Sequence, residues 1–421
     1  MNPQAVIITV GTELTDGRIT DSNGPFLARD LEGRGVTVAR VLSVPDAEGA
    51  IGWALTRAVE LEPALVVVAG GLGPTADDLT AAALAGALGL ETGVVPAAAA
   101  MVAAAVGGDS ATLGPHQVKQ ATLPTGSLPL APVGTAPGFI IFAGAAPVVV
   151  LPGVPLEMRQ MWAEARSLPP IAGILDAASA PARRRLNFYG AGEPEVNAAV
   201  EALRQKYEVE LEVSICARRR EVLLEVAADH NHQPQVDELI DALMDRFKDT
   251  VYSEGDEIEE VVAGRLTGLG RTLAVGESCT GGMLGETVTR VPGASAFFLG
   301  GVVAYSNEVK RDLLKVRQET LDNVGAVSEP VAQQLALGVR ALTGADYGAG
   351  ITGVAGPSGG TPEKPVGLVF ICVSSEEGDV VRGFNFPGSR DDIREYSVTA
   401  ALHMLNRKIM DDEAAAAESA E

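Results

Sequence analysis

The sequence predicts an α/β protein whose first part is a doubly wound, mostly parallel sheet. Three observations carry this. Short apolar runs such as residues 5–10 and 64–69 alternate with helical stretches, and strands apolar on both faces belong to parallel sheets covered on both sides. The 48 glycines and 25 prolines are scattered and punctuate short elements rather than forming low-complexity tracts. Polar, Gly-rich loops follow several apolar runs, at the carboxyl ends where open parallel sheets bind ligands.

In order, residues 5–10, 36–44, 64–69, 138–142 and 147–151 read as strands. Helices are expected over 23–31, 47–61, 79–88, 96–106, 116–121 and 155–165. This first part spans 1–170. Residues 171–252 change character, with strands over 183–190, 209–217 and 221–228 and helices over 194–205 and 236–247. The β-α-β-β-α order is similar to KH-type RNA-binding modules, but the segment has no GxxG loop and few aromatics. A spacer or dimerisation role is the favoured reading, with RNA binding as its rival. Residues 253–410 form a third, α/β part. Its helices are expected over 257–266, 307–314, 329–342 and 391–405, and its strands over 272–275, 297–305, 347–352, 366–374 and 380–386. The acidic, Ala-rich segment 411–421 is expected to lack fixed structure.

The 421 residues suggest two or three domains, and the net charge of −23 repels nucleic acid and anionic membranes unless a basic patch intervenes. Two short patches exist, Arg183-Arg184-Arg185 and Arg218-Arg219-Arg220, which also read as solvated surface. The three cysteines, Cys216, Cys279 and Cys372, are far apart, which argues against a disulfide framework and fits a reducing compartment. The amino terminus lacks the pattern of a signal peptide, and no apolar run approaches the ~18–20 residues of a membrane helix. A cytosolic protein is expected.

Chemistry concentrates in loops. Gly276-Glu277-Ser278-Cys279-Thr280-Gly281-Gly282 follows a strand and opens a helix. Ser278 is a candidate nucleophile or a helix cap, and Cys279 is more simply a small packed residue. A serine needs a base, no histidine lies near, and Lys310 is the available one if its pKa falls. Lys310 also reads as a surface lysine, and Tyr305 as a core plug. The loop Thr352-Gly353-Val354-Ala355-Gly356-Pro357-Ser358-Gly359-Gly360 offers backbone N–H groups to an oxyanion, and Arg390 offers a fork for phosphate or carboxylate. In the first part, Gly11-Thr12-Glu13, the stretch from Gly70 to Asp78, and Gly134-Thr135 suit phosphate cradles. Glu13, Asp77 and Asp78 suit a hard divalent cation, with helix capping as the other reading of one aspartate.

These stretches carry a resemblance. Glu277-Ser278-Cys279-Thr280-Gly281-Gly282, Tyr305-Ser306-Asn307-Glu308-Val309-Lys310, Gly325-Ala326-Val327-Ser328-Glu329-Pro330, Ile351-Thr352-Gly353-Val354-Ala355-Gly356-Pro357 and Lys364-Pro365-Val366-Gly367 together resemble the carboxyl-terminal domain of the CinA competence/damage-inducible family. Val10-Gly11-Thr12-Glu13-Leu14, Gly70-Gly71-Leu72-Gly73-Pro74-Thr75 with Asp77-Asp78, Gly134-Thr135-Ala136-Pro137-Gly138 and Leu151-Pro152-Gly153-Val154-Pro155 with Glu157-Met158 resemble that family's molybdopterin-binding-like amino-terminal domain. One departure is Leu14-Thr15 where the family has a Leu-Leu pair.

The resemblance implies two activities. One is hydrolysis of nicotinamide mononucleotide to nicotinate mononucleotide and ammonia. It gives Ser278 as nucleophile and Lys310 as base, with Tyr305 and Thr352 lining the site. Glu277, Cys279, Thr280, Gly281, Gly353, Gly356 and Arg390 would then bind substrate. The other is metal-dependent hydrolysis of ADP-ribose to AMP and ribose 5-phosphate. There Glu13, Asp77 and Asp78 would serve a divalent metal ion, and Gly11, Thr12, Gly70, Gly71, Gly73, Thr75, Gly134, Thr135 and Gly153 the nucleotide. No cofactor is implied for the amidase, and a homodimer is expected. The rival reading is a non-catalytic nucleotide-binding or scaffold protein of the competence or DNA-damage response.

Overall fold

A computed structural model describes residues 2–144 and 146–420 of the chain. It divides into two compact units, one running to Ala182 with the turn Asp229–Asn231, the other comprising Arg183–Ala228 and the chain from His232 onward.

The first unit is built on β1 (Gln4–Val10), β2 (Thr37–Val44), β3 (Leu65–Ala69), a small hairpin-like pair β4 (Thr92–Val94) and β5 (Thr122–Pro124), and β6 (Leu128–Leu130), β7 (Gly138–Ala143) and β8 (Ala146–Leu151). Six of these form one sheet in the order β2-β1-β3-β8-β7-β6. The β1–β2, β1–β3 and β3–β8 pairs are parallel, and β7–β8 and β6–β7 are antiparallel. Alternation divides the buried residues between two faces. Val6, Ile8, Val66 and Val68 pack with Ile51, Leu55 and Leu84. Ala5, Ile7, Leu65 and Val67 pack with Leu27, Leu31 and Trp162. Helices thus cover both faces, which is why these strands are apolar throughout. The second face also buries Ile171 of helix Pro169–Asp176, so this unit extends past residue 170.

The second unit holds two sheets. The smaller has the order β10-β11-β9-β12, with β9 (Ala182–Tyr189), β10 (Glu212–Arg218), β11 (Glu221–Ala228) and β12 (Val251–Ser253). The larger has the order β14-β13-β15-β16-β17, with β13 (Leu273–Glu277), β14 (Phe298–Val303), β15 (Tyr347–Gly353), β16 (Leu368–Ser375) and β17 (Gly378–Asn385). β13 runs parallel to both β14 and β15, and the other two pairs are antiparallel. Leu273 and Val275 face a core shared with Leu266, Leu402 and Leu405, while Ala274 faces Leu314, Leu335 and Val339.

The arginine triplets are spent inside this unit. Arg184 pairs with Asp237 at 3.1 Å, with Asp241 and with Glu254, and Arg185 reaches Glu225 at 2.9 Å. Arg218 pairs with Glu257, and Arg220 lies over the Phe386 and Tyr396 rings. His403 is buried against Glu221 at 2.7 Å, with Tyr189 stacked on its ring. Burial pushes its pKa down, opposed by the glutamate.

The acidic tail departs from expectation. Helix Arg390–Ala420 continues through it. Ala and Glu are strong helix formers, and extending an existing helix carries no nucleation cost. Glu421 lies outside the described residues.

Candidate functional site

The carboxyl ends of β13, β14 and β15 open onto one cavity of about 290 Å³. Ser278 follows β13, Tyr305, Asn307 and Lys310 follow β14, and Thr352 to Gly359 end and follow β15. Arg390, at the start of the last helix, closes one side. Ala326 and Val327 complete the wall.

Lys310 is 1% exposed, and its Nζ donates to the carbonyl oxygens of Ala304 at 2.7 Å and Tyr305 at 2.9 Å. Burial pushes its pKa down, and the Cys279 thiol opposes this weakly. A neutral amine has two N–H groups and one lone pair. The two carbonyls satisfy the first, which leaves the lone pair to accept a proton. Lys310 is held by Ser306, whose side chain caps helix Asn307–Asp312 through the Val309 N–H.

Ser278 is 9% exposed, and its N–H donates to Ile351 O at 3.0 Å. That N–H is therefore spent, and donors for an oxyanion must come from other lining backbone. Burial pushes the Cys279 thiol up to about 11, so it stays protonated near neutrality. Thr352 donates to Ala326 O at 2.7 Å and so ties two walls together. Arg390 donates to Gly356 O at 2.7 Å and to the Tyr305 hydroxyl at 3.1 Å, forming a cationic rim.

Three expected substrate contacts lie elsewhere. Glu277 is buried, and its carboxylate accepts from the N–H groups of Gly282, Leu284 and Gly285 at 2.9–3.1 Å. It holds the amino-terminal turn of helix Met283–Thr289 and does not line the cavity. β13 ends at Glu277, which turns to the helix beside it, while Ser278 is the first residue of the turn that opens onto the cavity. Thr280 and Gly281 shape the turn and also stay out of the wall. Gly281 has φ 64°, a left-handed conformation that favours glycine. Sequence reasoning missed Arg394, which donates to Thr280 O at 2.9 Å and pins the turn. Its spacing of four from Arg390, one helical turn, is the signal that could have found it.

In the first unit, the loops after β1, β3 and β8 converge. A Cβ on Gly70 would lie 2.1 Å from Val10 O, and one on Gly153 3.4 Å from Gly70 Cα. Gly71 packs on Thr80, Gly73 on Asp78, Gly11 on Glu13 and Gly134 on Glu157. Thr12 exchanges hydrogen bonds with Asp46 at 2.7 and 3.1 Å. Gln120 donates to Thr135 at 3.2 Å. The expected metal ligands do not assemble. Asp78 accepts from Thr75 N at 2.8 Å and Thr75 Oγ1 at 2.6 Å, closing its own loop. Among the described residues no three His, Cys, Asp or Glu side chains stand close enough to hold a metal ion. Glu13, Asp77 and Asp78 therefore do not fit a three-carboxylate cage. The Thr75 hydroxyl beside it, its own backbone N–H and the attraction of Lys119 hold the exposed Asp77 carboxyl below its ordinary range.

The model of the CinA C-terminal domain matches residues 255–409, and that of a probable molybdopterin binding domain matches residues 6–169. A CinA-like protein of Mycobacterium tuberculosis (strain ATCC 25618 / H37Rv) is 37% identical over 97% of this chain and 98% of its own length. One from Mycolicibacterium gilvum (strain PYR-GCK) is 38% identical over 97% of this chain and 99% of its own. A competence/damage inducible protein from Agrobacterium tumefaciens, solved by crystallography, is 38% identical, covering 37% of this chain and 97% of its own, with a TM-score of 0.34.

Proposed function

We propose that this chain, which belongs to the CinA family, is a hydrolase that converts nicotinamide mononucleotide to nicotinate mononucleotide and ammonia in its second unit. The observation that carries the reading is Lys310, a buried lysine with a lowered pKa in the same cavity as Ser278. A pure binding pocket has no need of a desolvated base beside a hydroxyl.

Ser278 Oγ attacks the carboxamide carbon while Lys310 Nζ takes the hydroxyl proton. The electron pair moves to the carboxamide oxygen, where backbone N–H groups among Ala355, Gly356, Ser358 and Gly359 stabilise the charge. Lys310 returns the proton to the amide nitrogen, and the C–N bond breaks to release ammonia. Water then adds to the acyl-serine with Lys310 again as base, and Ser278 leaves with the proton. Arg390 and Tyr305 at the rim suit the phosphate of the substrate.

The test is ammonia release from nicotinamide mononucleotide by the wild type and by Ser278→Ala. Turnover by the first and none by the second is expected. Undiminished turnover by Ser278→Ala, or none by folded wild type, overturns the reading.

For the first unit, the convergence of Gly-rich loops at the carboxyl ends of β1, β3 and β8 supports binding of a nucleoside diphosphate, with ADP-ribose as ligand and its hydrolysis to AMP and ribose 5-phosphate as activity. Calorimetric binding of ADP-ribose, run beside a turnover assay with and without a divalent cation, tests this. Absence of binding under both conditions removes it.

A further inference from the structure

We infer that Lys119 is the cation that receives a phosphate group at the loop site of the first unit. The inference rests on the reading of that unit as a nucleotide-binding one.

Helix Pro115–Ala121 touches the loop after β3, on which that reading depends, and the Gly134-Thr135 loop before β7. His116 Nδ1 donates to Pro74 O at 3.0 Å, and Lys119 Nζ donates to Thr75 O, both on the loop after β3. Gln120 is buried and donates to Thr135 on the loop before β7. The helix is thereby clamped against both loops, and Lys119 reaches the backbone of the loop after β3.

A cavity of about 90 Å³ lies at this junction, lined by Gly71, Gly73, Asp78, Lys119 and Gln120 among others. It suits one anionic group rather than a whole nucleotide. Lys119 is the sole cation among its described lining residues, and Asp78 is a carboxylate. Asp77 stands nearby and feels the lysine's attraction. Without Lys119 the loop would present two carboxylates and repel any phosphate. With it, charge is partly balanced at a cavity that Gly71 and Gly73 also line. An ammonium has three N–H groups, and Thr75 O takes one. The others are available to a phosphate oxygen, a stronger acceptor than a neutral carbonyl.

The test is calorimetric binding of ADP-ribose to the full chain, as wild type, Lys119→Met and Lys119→Arg, at low and at high salt. A lost charge-assisted contact predicts affinity about tenfold or more weaker in Lys119→Met at low salt. The gap should narrow at high salt, because screening weakens the charge and not the fold. Lys119→Arg should restore affinity to within about threefold of wild type, since guanidinium also pairs with phosphate. Lys119→Met binding as tightly as wild type overturns the assignment. So does a gap that ignores salt and is not closed by arginine, which would mark a loop-supporting role. Failure of the wild type itself to bind ADP-ribose is a different result and removes the nucleotide reading of the whole unit. Deamidation by the second unit should be unchanged in every variant.

Discussion

In the second unit the cavity beyond β13 and β15 holds the buried Ser278 and Lys310, while in the first unit the loops beyond β1, β3 and β8 carry Thr75 and Asp77 out to solvent. Both sites stand where parallel strands end and helices begin, as open α/β sheets require. The difference lies in what burial does to charge. Lys310 is stripped of water and its ammonium is destabilised, so the fold has already prepared a base. At the other site the charged groups keep water or pair locally, as Asp78 does with Thr75. Chemistry there must draw on what the ligand brings. Position in the sheet thus locates a site, and burial decides how far it is preorganised.

The sharpest break of this contrast is Lys310→Ala. Loss of the proposed base should lower deamidation by about 10³-fold or more, read as kcat/KM for nicotinamide mononucleotide. The pH profile adds the sign. Only neutral Lys310 accepts the serine proton, so the rate should rise with pH and level off below the ordinary lysine value, because the buried ammonium loses its proton early. A plateau reached only at or above the ordinary lysine value would show a solvated lysine.

Glu277 gives the next largest effect, on stability and not on substrate. Its carboxylate satisfies three backbone N–H groups in a buried setting. Glu277→Ala leaves them without acceptors, at a cost of about 1–3 kcal/mol each before relaxation. Thermal unfolding should show a drop of several degrees or a failure to fold. A variant that folds at wild-type temperature but loses substrate affinity would return Glu277 to a binding role. The matching change in the first unit, Asp78→Ala, breaks two bonds at an exposed loop and should cost only about 1 kcal/mol.

Much of this was legible in the sequence, for physical reasons that also mark the limit. The doubly wound sheet followed from runs like Val66-Val67-Val68, which no half-exposed strand carries. Ser278, Lys310, Tyr305 and Thr352 line one cavity because loops at strand ends converge when their strands are neighbours, as β14, β13 and β15 are, and Arg390 joins them from the last helix. Orientation was harder. Glu277 adjoins Ser278 in sequence, yet the strand ends between them, and Glu277 turns to the helix while Ser278 lines the cavity. The carboxylates Glu13, Asp77 and Asp78 read as a metal set because composition does not show that a hydroxyl three residues back will claim Asp78 first. Composition alone predicts a structureless acidic tail, because it does not show the helix that the tail extends.

The smallest expected effect tests whether burial silences a group as surely as it prepares one. Cys279 adjoins Ser278, the proposed nucleophile, and lines the same cavity, but its thiol is pushed up to about 11. Near neutrality almost none is thiolate, and the thiolate is the reactive form. Cys279→Ala should therefore retain deamidation to within about threefold, the scale of a small packing change in the wall. Iodoacetamide should label the native thiol slowly, faster as pH approaches 11. A loss of activity matching that of Ser278→Ala would make sulfur the attacking atom. It would also require the site to stabilise a thiolate that its buried surroundings disfavour.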